Sequence, residues 1–125
     1  MAYNAGVNGG VLTYWDPTPS TTVNAGFYRF GGTSAGAPQW AGLIALAAQL
    51  RGRSLGLLND SIYAAARVRP VQNVLFHDIT TGNNTYTTGA GDVIEGYSAK
   101  PGWDAATGFG SPKADRLVPF LAATN

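Results

Sequence analysis

The run Gly31-Gly32-Thr33-Ser34-Ala35-Gly36-Ala37-Pro38 sets two hydroxyls among small side chains, with a proline at its end. It follows a short aromatic stretch, Phe27–Phe30, and precedes Trp40, Ala41, Leu43, Ile44, Ala47 and Leu50, which recur at three- and four-residue steps. A serine at such a junction is presented by a helix N-terminus, where unpaired N–H groups and the positive end of the dipole stabilise developing negative charge. That is a setting for a nucleophilic serine. An ordinary N-cap at Thr33 or Ser34 uses the same residue types, but the small-residue run is longer than a cap requires.

Two other places carry chemistry. Asp78 and Asp104 stand in Gly- and Thr-rich segments of a chain with only seven acids, and Gly102 lets the backbone bend toward an ion. Calcium takes about six to eight hard oxygens from carboxylates and main-chain carbonyls, which such loops supply; ordinary Asx turns at both aspartates are the alternative. His77 is the single histidine and Glu95 the single glutamate, and there is no cysteine. A serine hydroxyl needs a base to take its proton, and His77 with Asp78 or Asp104 is one conceivable source.

The elements that must position these residues follow from pattern. A Gly/Asn turn around Asn8 leads into Val11–Trp15, a hairpin arm or buried strand, and Asp16–Asn24 reads as loop. Pro38 is tolerated near a first helical turn, so the serine helix is expected to begin at about Ala35–Ala37 and to end at Arg51, with Gly52 as its left-handed cap. Apolar residues cover nearly its whole circumference, which predicts a buried helix. A second helix is expected over Leu57–Arg67, stopped by Pro70. Val74–Ile79 is expected to be extended, Thr80–Ala99 to be loop with a short hairpin, and a last helix to start at about Pro112.

The chain's 125 residues fit one domain, residues 1–125, and exclude separate cofactor and substrate halves. Its 45% apolar content is that of a globular core, while 12% charged residues exclude a disordered polyelectrolyte. With a formal net charge of +1 and scattered basic residues, nucleic acid is not an expected partner. The stretch Ala35–Leu50 is too short and too rich in Gly and Ala to span a bilayer, so no membrane is expected either.

GTSAGAP followed by Trp40-Ala41-Gly42 resembles the nucleophile segment of the sedolisins, serine-carboxyl peptidases whose fold is related to subtilisin. Phe76–Asn84 resembles that family's first calcium segment, and Pro101–Pro112 its second. The resemblance implies an α/β, subtilisin-like fold with Ser34 as nucleophile on a buried central helix (segment 31–38) and calcium loops over 76–84 and 100–112. It also implies Ca²⁺ ligation by the side chains of Asp78 and Asp104 and the main-chain oxygens of Ile79, Lys100 and Gly102. Lys100 departs from the small residue usual there, though only its carbonyl would serve. On the family pattern His77 precedes the first calcium aspartate and has no catalytic role.

Sedolisins activate the serine with a Glu, oriented by an Asp one helical turn away. Here Glu95 lies in a glycine loop and position 99 is alanine, so that motif is absent. Asp16, the one acid before Ser34, does not match the family's oxyanion aspartate. The chain is therefore expected to be the C-terminal portion of a sedolisin catalytic domain, carrying the nucleophile and calcium segments without the activating acids. The expected partners are a peptide or protein substrate and either further copies of the chain or the missing N-terminal part, and the expected location is extracellular. A small esterase using Ser34 and His77, or a non-catalytic calcium-stabilised module, are the alternatives.

Overall fold

The computed structural model describes residues 2–6, 8–17 and 22–124. It divides into two compact units, one comprising Tyr3–Gly42 and the other Ala2 with Leu43 onward. In the first, β1 (Val11–Trp15) pairs antiparallel with β2 (Gly26–Phe30), Val11 opposite Phe30 and Trp15 opposite Gly26. Val11 and Thr13 with the aromatic residues of both strands favour this ladder, and rings meet across it edge to face: Tyr14 and Phe27 at 5.3 Å, Trp15 and Tyr28 at 5.5 Å. The expected turn at Asn8–Gly9 is present, with the Asn4 amide donating to the Gly9 carbonyl at 2.6 Å. Of the loop expected over Asp16–Asn24, residues 18–21 lie outside the described set. The hairpin is not a buried strand pair, since every residue of β1 is exposed.

Helix α1 spans Thr33–Arg51 and continues from this unit into the next. It starts before the predicted Ala35–Ala37, because Gly32, at φ 119°, turns the chain and its carbonyl takes the Ala35 N–H at 2.9 Å. Pro38 consequently lies inside the helix, where its missing N–H leaves the Ser34 carbonyl without the usual bond. The far end is as expected: Gly52, at φ 79°, donates its N–H to Ala48 at 2.9 Å and caps the helix. The prediction of a buried helix is corrected within this chain. Only Gly36 and Ala47 of α1 are buried, while Leu46 and Leu50 are 54% and 63% exposed.

The second unit holds the core. Helices α2 (Asn59–Ala66), α3 (Arg69–Leu75) and α4 (Ala114–Thr124) bury Ile62, Ala66, Leu75, Leu117 and Leu121. Helix α3 was not expected: Pro70 sits in its first turn, where the absent N–H costs nothing, and so opens a helix instead of ending one. The predicted run Val74–Ile79 shrinks accordingly to β3 (Phe76–His77). The Thr80–Ala99 region contains the expected small hairpin, β4 (Tyr86–Thr87) with β5 (Val93–Ile94). Ser111–Pro112 form β6, which pairs antiparallel with β3, and so α4 begins two residues later than expected. Gly110, at φ 94°, brings the chain so close to the His77 carbonyl that a Cβ there would collide with it. The Phe76 and Phe109 rings, 6.4 Å apart, then close the core over this joint.

Candidate functional site

Ser34 occupies the first turn of α1 and is exposed. The helix start beneath it is held in two ways. Gly32 donates its N–H to the Ala5 carbonyl, and Tyr3 lies against Gly36, where a Cβ would come within 2.9 Å of the tyrosine Cβ. The small residues expected from sequence therefore have a packing reason as well as a chemical one: they let the N-terminal segment run over the helix start. No acidic side chain stands in the first turn. Ser34 is thus a solvent-accessible hydroxyl at a positive helix end, with no base supplied by its own turn.

The acidic loops belong to the second unit, as does His77, which is exposed on β3. Asp104 is 1% exposed, and both its oxygens are saturated: Oδ1 accepts from the Ala106 N–H at 2.9 Å and the Thr107 N–H at 2.6 Å, and Oδ2 from the Thr107 hydroxyl at 2.9 Å and the Lys100 N–H at 3.2 Å. Burial alone would raise its pKa, but the hydrogen bonds from Thr107, Lys100 and Ala106 outweigh that and hold the carboxyl below its ordinary 3.8. Its backbone closes the same loop, exchanging hydrogen bonds with Gly108 at 3.2 and 2.8 Å. This is the Asx-turn geometry that the sequence left open for Asp104.

Asp78 is bound differently. Its Oδ2 accepts from the Gly102 N–H at 2.8 Å and pairs with the Arg69 guanidinium at 3.1 Å, while Oδ1 faces the Gln72 amide at 3.4 Å. Gln72 is itself buried and reaches the Phe109 carbonyl at 3.4 Å. Both aspartates therefore hold the same short stretch, Asp104 through the Lys100 amide and Asp78 through the Gly102 amide. Gly102 is buried with φ 90°, and Lys100 is exposed. Among the described residues no three His, Asp or Glu side chains gather as a metal cluster. The two carboxylates are hard oxygen donors of the type calcium takes, and in this structure N–H and O–H groups occupy them.

Three members of this network were not anticipated. Thr107 carries a local signal, since Asp-x-x-Thr is the spacing of a carboxylate that caps a turn. Arg69 and Gln72 carry none: they reach Asp78 only because Pro70 starts a helix whose first turns face the strand end.

The chain is 43% identical to kumamolisin of Bacillus sp. (strain MN-32) over 91 residues, 73% of the chain and 15% of that protein. It is 33% identical to xanthomonalisin of Xanthomonas sp. (strain T-22) over 123 residues, 98% of the chain and 13% of that protein. Tripeptidyl-peptidase 1 of Dictyostelium discoideum is 39% identical over 94 residues, 72% of the chain and 14% of that protein. No family model matches. Similarity of this order over most of the chain, to several members independently, follows from common descent; the chain belongs to the sedolisin family. The four helices and small sheets among the described residues are compatible with the subtilisin-like α/β fold of that family. The chain spans about 13–15% of the length of these relatives. No helix among the described residues is long and apolar enough to cross a membrane.

Proposed function

We propose that this chain is the nucleophile-bearing, calcium-binding part of a serine-carboxyl endopeptidase. The observation that carries the reading is the xanthomonalisin match, which at 98% of the chain includes Ser34, taken with the exposed hydroxyl at the α1 N-terminus. Ser34 attacks the scissile carbonyl and forms the Oγ–C bond while its proton passes to a glutamate supplied from outside the chain. The C–N bond then breaks, the amine leaves with that proton, and water releases the acyl group. Charge on the tetrahedral oxygen is stabilised in part by the positive end of α1.

Calcium in this reading is held by the Asp78 and Asp104 carboxylates with the main-chain oxygens of Ile79, Lys100 and Gly102. Bound there, it would add a strong ionic link between the chain after β3 and the loop before β6.

The substrate is a peptide or protein, and the site of action is extracellular by family analogy. The exposed apolar surface, Phe27 at 71% and Leu50 at 63%, calls for cover, from further copies of this chain or from the rest of a peptidase domain. Native mass measurement of the purified chain tests this, and a clean 13.0 kDa species at high concentration counts against self-association.

Assay of the purified chain on a peptide and on a short-chain ester, beside Ser34→Ala and His77→Ala, tests the chemistry. The expected result is no Ser34-dependent turnover without the external glutamate. Peptidase activity lost in Ser34→Ala would show a base inside the chain. Ester hydrolysis lost in both variants would establish the esterase alternative.

A further inference from the structure

Asp78, one of the two carboxylates assigned to calcium, already has a cation. Arg69 reaches it from the first turn of α3 at 3.1 Å, and the same guanidinium nitrogen lies 3.4 Å from the Gln72 side-chain oxygen. It also lies against Gly102, where a Cβ would stand 3.2 Å away. Arg69 therefore sits over the Asp78 side of the loop and against the glycine whose carbonyl the calcium reading requires. Its side chain is 52% exposed, whereas that of Asp78 is 14% exposed, so the arginine can swing out to water while the carboxylate stays in place.

We propose that Arg69 sets the calcium affinity of the Asp78–Asp104 loop, acting as an internal cation that neutralises Asp78 in the metal-free chain and has to be displaced when the metal binds. This rests on the calcium reading above. A unit positive charge a few ångströms from the ion repels it, and the arginine's bond to Oδ2 uses a lone pair the metal would take. The opposite effects on two states follow from one contact: Arg69 stabilises the loop without metal and weakens the metal's hold. A purely structural arginine would move both in the same direction.

The test is calorimetric titration of the chain with calcium chloride, beside thermal unfolding in EDTA, for wild type, Arg69→Gln and Arg69→Lys. Arg69→Gln is expected to bind calcium on the order of tenfold more tightly while unfolding at lower temperature in EDTA. Arg69→Lys, which keeps the charge, is expected to bind within about threefold of wild type. Arg69→Met, which keeps the apolar stem, takes the place of the Gln variant if that one does not fold. Calcium binding that is equal or weaker in the neutral variants overturns the proposal and leaves the calcium reading standing. Absence of binding in wild type and all variants overturns both.

Discussion

Replacing Asp104 by asparagine tests whether the loop before β6 is built on one buried carboxylate. The amide keeps a single acceptor oxygen, enough for the Ala106 and Thr107 N–H groups at 2.9 and 2.6 Å. Its NH₂ group then faces the Lys100 N–H and the Thr107 hydroxyl, both donors in the native loop. The hydroxyl can turn away, but the Lys100 N–H loses its acceptor. Hydrogen bonds to a charged group are worth about 1.5–3 kcal/mol each, so the net loss is about 3 kcal/mol. For 125 residues at about 2.1 cal/mol/K each, that lowers the unfolding midpoint by about 10 °C.

The assay is thermal unfolding by circular dichroism in EDTA, so that metal plays no part. The folded pKa of Asp104 is depressed below 3.8, and its contribution is therefore complete above the unfolded value and lost as pH falls through the folded one. The gap between wild type and Asp104→Asn should accordingly be full at pH 5 to 7, begin to narrow near pH 3.8 and close only once the pH is below the depressed folded value. A gap under about 2 °C at pH 7, or one that widens on acidification, would refute the reasoning.

Three further outcomes are expected. Gly110→Ala must relieve a collision with the His77 carbonyl at a positive φ, and should lower the midpoint by about 10 °C or prevent folding; a midpoint within about 2 °C of wild type would mean the β3–β6 joint is not tight. Ser34→Ala changes only an exposed hydroxyl and should leave the midpoint within about 2 °C, so that any lost chemistry is not lost fold; a larger drop would make Ser34 a structural residue. Calcium at 100 times its dissociation constant should stabilise the chain by about 2.7 kcal/mol, raising the midpoint by roughly 10 °C; no shift would remove the metal site.

Local chemistry was legible in the sequence, and long-range placement was not. The turn at Asn8–Gly9, the Gly52 cap and the hairpin in the Thr80–Ala99 region rest on residues with strong short-range preferences, and each is where the pattern put it. Prolines misled because their meaning depends on which side of a helix start they fall. Pro70 opens α3, and Pro38 is carried inside α1 by the turn that Gly32 makes. Composition alone predicts a buried α1, but burial needs neighbours, and among the described residues Leu46 and Leu50 stay exposed.

The candidate site divides in the same way. Ser34, Asp78 and Asp104 stand out by residue type and setting, and the structure adds what spacing could not: the Lys100 N–H held by Asp104, the Gly102 N–H held by Asp78, and Arg69 and Gln72 arriving from another helix. The same two carboxylates that could hold an ion also organise the loop on their own. Of the two readings the sequence leaves open for Asp104, the Asx turn is the one its hydrogen bonds form.

The central claim is that Ser34 is a peptidase nucleophile whose base lies outside this chain. Grafting the chain into xanthomonalisin in place of the 123 residues it matches supplies the rest of a sedolisin around it. Peptide hydrolysis at acid pH by the graft is predicted, abolished by Ser34→Ala and retained by His77→Ala. Hydrolysis that survives Ser34→Ala, or that disappears with His77→Ala in a graft that still folds, would contradict the account.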